Sequence, residues 1–195
     1  GPTDRISAIK YFAAARGATG KINPANQIDY FNVAAMSGVL TTNDPSVPRT
    51  DLSSLLDKNV ALYYRGWVIR ITHGVYNFEQ MRPMFEFFAA HKDELWGGTF
   101  GEVAKYGQER DTATLKVDEN TASRIAMTLT DQMLDSRFNY PLTIKVRLPS
   151  EWKNVKAAQN GQAVASRVIE HEGALYALVH AVPDRGQIVL APASL

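Results

Sequence analysis

The residues best placed to do chemistry lie in one short stretch, Gly66-Trp67-Val68-Ile69-Arg70-Ile71-Thr72-His73-Gly74. The apolar, β-branched run over 68–72 predicts a strand, and Gly74 permits the turn that follows. His73 thus falls at a strand end, where loops rather than packing set the local structure and where α/β barrels present catalytic groups. An imidazole in that position can protonate a leaving group. The same imidazole can instead hold the loop through hydrogen bonds. Trp67 and Tyr76 flank it and can form an aromatic wall, which suits sugar rings because their apolar C–H faces stack on π surfaces. Each aromatic can equally be core.

Elements to position these residues follow from periodicity. Thr3 or Asp4 can cap a helix running to about residue 15, with Ile6, Ile9, Phe12 and Ala13 at helical spacing. A loop rich in Gly, Asn and Pro covers 17–24. Asp51 opens a helix with Leu52, Leu55, Leu56 and Val60 on one face. Asn77 caps another, carrying Met81, Met84, Phe85 and Phe88, with Pro83 tolerated near its first turn. Leu95-Trp96 predicts a short strand, and Thr99 caps a helix from Phe100 to about Glu109. Helices alternating with strands predict parallel βαβ units over 1–111.

From about residue 112 the period becomes two. Leu115 and Val117, then Ile125, Met127 and Leu129, then Leu142, Ile144, Val146 and Leu148 alternate with polar residues. The pattern continues over 164–170, 174–181 and 187–191, with turn signals at Asn160-Gly161, Glu172-Gly173 and Asp184-Arg185-Gly186. Residues 112–195 therefore predict an antiparallel β-sandwich of six or seven strands.

Composition narrows the partners. With 21 basic and 20 acidic side chains in 195 residues, no overall electrostatic footprint argues for nucleic acid. No apolar run is long enough to span a bilayer. The absence of cysteine excludes disulfides and thiolate metal sites. His91, His171 and His180 are scattered and read as surface or structural, and Asp29, Asp51 and Asp57 have no histidine at ligand spacing.

Several motifs in order carry a family resemblance: Tyr11-Phe12-Ala13-Ala14-Ala15-Arg16-Gly17, Ile22-Asn23-Pro24, Gly66-Trp67-Val68-Ile69, Thr72-His73-Gly74 and the run from Leu95 to Tyr106. The chain resembles the C-terminal part of polysaccharide deacetylases of carbohydrate esterase family 4. The later residues Tyr140-Pro141-Leu142-Thr143, Leu148-Pro149 and Trp152 resemble the β-sandwich appended in a bacterial subgroup. The resemblance implies a distorted (β/α) barrel over 1–111 and an accessory sandwich over 112–195. It implies a hydrolase that removes N- or O-linked acetyl groups from a glycan, secreted to the periplasm or beyond. His73 would be the general acid, with Ile71 at the acetyl-methyl pocket, and Trp67, Tyr76 and Arg16 lining the substrate.

The family holds a divalent metal, usually zinc, on one aspartate and two histidines. No matching residues occur here, so the resemblance places the metal ligands outside this chain, in an N-terminal half that would complete the barrel and without which the chain would be inactive. A different reading is a non-catalytic carbohydrate-binding or structural module, whose sandwich contacts glycans or neighbouring domains through Trp152 and Tyr176.

Overall fold

Short apolar runs in the first half of the chain make far less sheet than their pattern predicts. The computed structural model describes residues 2–37, 52–71, 74 and 78–193. The chain divides into two units, Gly1–Ala104 and Lys105–Leu195. The first contains α1 (Pro2–Tyr11), β1 (Met36–Ser37), a 3₁₀ turn (Leu52–Leu55), β2 (Arg70–Ile71) and α2 (Phe78–Ala90). α3 (Phe100–Thr112) begins at its end, and the division falls within that helix.

β1 and β2 run parallel with Met36 opposite Arg70 and Ser37 opposite Ile71. Two isolated bridges, Arg16 with Val33 and Asn23 with Trp67, extend the backbone pairing. A side chain replaces what would be further ladder. Buried Asn23 donates from Nδ2 to the carbonyls of Ala34 (2.8 Å) and Trp67 (3.0 Å), and its Oδ1 accepts from the Ala34 amide at 2.8 Å. These bonds satisfy buried peptide groups that would otherwise demand a neighbouring strand.

Ile22, Met36, Leu52, Leu55, Met81 and Met84 form the core of this unit, with Phe87 and Phe88 of α2 packed against it. Phe78 and Phe85 fall on the other side of α2, exposed and stacked at 5.9 Å. The helix predicted to reach residue 15 ends at Tyr11, with Ile6 and Ile9 exposed, and Leu95-Trp96 lies in irregular backbone. The expected (β/α) barrel is therefore corrected. Among the described residues the first unit holds a single two-stranded parallel pair, and most of the sheet in the protein is antiparallel. Apolar runs of this length are buried by helix and loop contacts without needing a ring of strands.

The second unit follows its period-two pattern closely. Its strands are β3 (Thr114–Asn120), β4 (Ile125–Thr130), β5 (Leu142–Arg147), β6 (Val155–Gln159), β7 (Gln162–Ala163), β8 (Ser166–His171), β9 (Ala174–Ala181) and β10 (Ile188–Pro192). They form a five-stranded sheet ordered β3-β4-β10-β6-β7 and a three-stranded sheet ordered β5-β9-β8. All pairings within both sheets are antiparallel. One core joins the sheets: Ile125, Met127, Leu129, Ala157, Ile188 and Leu190 from the first, and Leu142, Ile144, Ala177, Val179 and Ala181 from the second. This is a β-sandwich.

Trp152, 1% exposed, belongs to that core and donates its indole Nε1–H to the Ala122 carbonyl at 2.9 Å. Its expected contact with a glycan is thereby corrected. Buried Gln159 clasps Val182, donating from Nε2 to its carbonyl and accepting from its amide. Asn160-Gly161 and Glu172-Gly173 have positive φ at both positions and close tight hairpins, β6–β7 and β8–β9. The Asp184-Arg185-Gly186 turn instead carries the chain from β9 in one sheet to β10 in the other.

On β3 a bulge at Asp118 interrupts the pairing with β4 between Val117 and Glu119. Thr99 and Glu102 form a capping box at the start of α3. The Thr99 amide and hydroxyl donate to the Glu102 carboxylate, and the Glu102 amide reaches back to the Thr99 hydroxyl.

Candidate functional site

The predicted substrate-lining residues occupy the small paired patch of the first unit. Arg16 is exposed, bridges Val33 through the backbone and donates from Nη1 to the Gly17 carbonyl at 3.0 Å. Trp67 is half-buried, and its ring lies 5.4 Å from that of Phe100 at a tilt of 35°. Ile71 is half-buried on β2 opposite Ser37. His73 and Tyr76 lie outside the described residues.

Arg70 was missed by the sequence reading because it falls inside an apolar run. Its Nε and Nη1 are buried and find no hydrogen-bond partner among the described residues, and burial lowers the guanidinium pKa. No group of three or more His, Asp or Glu side chains that could hold a metal ion comes together among the described residues. The ligand set that the deacetylase resemblance implies therefore has no counterpart there, and no chemical step is derived through a metal.

The second unit presents a more complete constellation, on the outward face of its three-stranded sheet. Side chains alternate across a strand, so Leu142, Ile144 and Val146 of β5 point into the sandwich while Thr143, Lys145 and Arg147 point out. The register continues this division. Arg147 pairs with Tyr176, Lys145 with Leu178 and Thr143 with His180 on β9. On the far side Tyr176 pairs with Ile169, Leu178 with Arg167 and Ala174 with His171 on β8.

The outward face thus consists of rows. One reads Arg147–Tyr176–Ile169 and the next Lys145–Leu178–Arg167. Lys145, Arg147, Arg167, His171 and His180 are exposed, whereas Tyr176, Leu178 and Ile169 are half-buried. The Lys145 ammonium stands 4.2 Å from the Tyr176 ring centroid, and the His171 ring meets Tyr176 edge-on at 6.2 Å. None of the outward positions on the three strands is Asp or Glu. The carboxylates beside this face are Glu170, exposed on β8 at a position that alternates to the other side of the strand, and Glu172 in the β8–β9 turn, 3.9 Å from His171 Nδ1. Among the described residues Lys145, Arg147 and Arg167 form no ion pair. A half-buried apolar strip flanked by cations can hold a ligand and orient it; at one end of the face the Thr143 hydroxyl lies 3.4 Å from His180 Nδ1.

This chain is 32% identical to a Bacillus protein named gellan lyase, over an alignment of 210 residues. The alignment takes in 95% of this chain but only 8% of that protein, so the chain spans a small fraction of the relative's length. No protein-family model matches the chain, and no solved structure matches it.

The kinship corrects the expected activity. A relative named as a lyase replaces the acetyl-removing hydrolase implied by the deacetylase resemblance. Among the described residues no barrel is seen, so an N-terminal half completing one is not supported. Tyr176 lies on the outer sheet surface, as a ligand-contacting aromatic must, and its signal was visible in sequence only as one member of an alternating strand. The three cations around it carried no signal of their own until the register aligned them. No helix among the described residues is long and apolar enough to cross a membrane.

Proposed function

We propose that this chain is a polymer-engaging part of a carbohydrate-active protein that degrades a polysaccharide as a lyase. The kinship with gellan lyase, extending over 95% of the chain, carries this reading. The composition of the outer sandwich face supports a binding role: an aromatic ring and two aliphatic side chains offer an apolar strip, and flanking polar groups can fix a sugar chain upon it. A lyase splits a glycosidic C–O bond by elimination, leaving a carbon–carbon double bond in the product, whereas a hydrolase adds water. The substrate is too large to cross a membrane, which puts the site of action outside the cell.

The test compares the intact parent protein with the 195-residue chain on a panel of polysaccharides that includes gellan. The expected result is retardation of the chain in a gel containing its polymer. The parent protein should release fragments whose double bond absorbs in the ultraviolet. Fragments with new reducing ends and no such absorbance would identify hydrolysis and overturn the lyase reading. Absence of both binding and cleavage across the panel would overturn the polysaccharide reading altogether.

A further inference from the structure

We propose that the outward face of β5-β9-β8 is a binding surface for an anionic polysaccharide, with Lys145, Arg147 and Arg167 meeting its carboxylates and Ile169, Tyr176 and Leu178 carrying its sugar rings. The inference rests on the polysaccharide reading above and adds the surface that receives the polymer and the residues that meet its carboxylates.

Three observations carry it. First, the cations are concentrated. The whole chain has a formal net charge of +1, yet the outward positions of this sheet hold three permanent cations and no carboxylate. Elsewhere in the same unit three basic side chains are matched, Lys116 with Asp118, Arg124 with Glu119 and Arg110 with Asp111, whereas Lys153, Lys156 and Arg185 stand singly rather than gathered on one face. Three cations gathered on one face, with no carboxylate at its outward positions, give a potential that favours an anionic partner.

Second, the spacing suits a polymer rather than a point ligand. Lys145 and Arg147 lie two residues apart on one strand, about 7 Å, and Arg167 lies two strands away, about 10 Å. This spacing sets the three cations out along the sheet surface, where carboxylates repeated along a chain can meet each in turn. Third, the surface between the cations is apolar and partly fixed. Lys145 is already held over the Tyr176 ring, so less side-chain freedom is lost when a ligand arrives. Sugar C–H faces suit such a strip. A nucleic-acid surface would instead be expected with a basic balance over the whole domain, which the near-neutral composition does not provide.

The experiment uses the full 195-residue chain in affinity electrophoresis. Gels contain gellan or polygalacturonate, each run beside its carboxyl-reduced form, and a further gel contains single-stranded DNA. One variant carries Lys145→Ser, Arg147→Ser and Arg167→Ser. A control removes the same charge from the other sheet and its approach, with Lys116→Ser, Lys153→Ser and Lys156→Ser. Circular dichroism verifies that both fold.

The face variant is expected to bind the carboxylated polymer about tenfold or more weakly, the combined loss of three exposed ion pairs of modest strength. The control should bind as the parent chain does, and carboxyl reduction should weaken parental binding to a similar degree. Equal weakening of face variant and control would overturn the assignment of the surface. Undiminished binding of the carboxyl-reduced polymer would overturn the anionic class while leaving the polysaccharide reading intact. Failure to bind any polysaccharide removes both readings, and tighter binding to DNA than to every glycan would make this a nucleic-acid surface instead.

Discussion

Replacing Glu109 by Gln is expected to stabilise the C-terminal unit at alkaline pH and to change it little in mild acid. Glu109 lies near the end of α3, fully buried, and both carboxylate oxygens accept from the Tyr140 amide, at 3.0 and 3.1 Å. Burial pushes its pKa up from 4.5 to about 7. The charges of Asp131 and Asp135 add to this, while the Tyr140 hydrogen bond and Lys105 oppose it.

The folded protein therefore takes up a proton that the unfolded chain releases. The resulting stabilisation is complete below the ordinary carboxylate value and is lost as pH rises through about 7. The interval between the two values corresponds to roughly 3 kcal/mol of penalty once the group is ionised. Glutamine keeps an oxygen for the Tyr140 amide but brings an NH₂ that needs its own partner, which costs about 1 kcal/mol. The net gain at about pH 8.5 is then about 2 kcal/mol, or on the order of 10 °C in Tm for a unit of this size.

Scanning calorimetry at about pH 5 and pH 8.5 measures this, covering both sides of the titration. The relevant transition is the one displaced by Leu190→Ala, since Leu190 is buried in the sandwich core. The native protein should melt lower at the higher pH, and the variant should recover most of the difference. A native Tm independent of pH, with no gain from the variant at either value, would refute the reasoning.

Other substitutions probe the remaining structural claims. Asn23→Ala strands the Ala34 amide and carbonyl in the core of the first unit, at about 2–4 kcal/mol. Hydrogen exchange at Ala34 should accelerate, and unchanged protection there would mean that the side chain does not hold this patch. Trp152→Ala removes the largest side chain of the sandwich core and is expected to cost about 3–5 kcal/mol. Near-UV circular dichroism and Tm report it, and a loss below about 1 kcal/mol would contradict so complete a burial. Gly186→Ala forces a side chain into φ +91° and within 3.1 Å of Asn160 Cβ. A cost of about 1–3 kcal/mol is expected from denaturant unfolding, and a neutral effect would mean that the β9–β10 turn relaxes freely.

The sandwich was legible because its information is local. Alternation in segments such as Leu142-Thr143-Ile144-Lys145-Val146-Arg147 states which face of each strand is buried, and Asn160-Gly161 and Glu172-Gly173 supply the φ > 0 that tight hairpins require. Local signals do not say which strands pair. Asp184-Arg185-Gly186 has the same chemistry as a hairpin turn, yet the strands around it belong to different sheets.

The basic outward face was hidden for the same reason. Lys145 and Arg167 share a row only through the β5–β9 and β8–β9 registers, across 22 positions of sequence. In the first unit the apolar run ending at Thr72 looked like a barrel strand because burial, not pairing, is what hydrophobicity records. Met36 and Val68 are packed by α2 and neighbouring loops, and the buried amide of Asn23 does the hydrogen bonding that additional strands would have done. Trp152 followed a similar logic: an aromatic on a sandwich reads as a sugar contact or as core, and only its position beneath both sheets decides between them.

The extra residue at Asp118 has a consequence for solubility. β3 ends its sheet with Leu115 and Val117 partly uncovered, a border along which another extended chain could hydrogen-bond. The kink there brings a carboxylate to the margin, tied to Thr128 at 2.6 Å and to Lys116 at 3.1 Å, and breaks the straight run of peptide groups that a newcomer would need. Neighbouring β-rich segments can consequently lie close by without zipping onto this one.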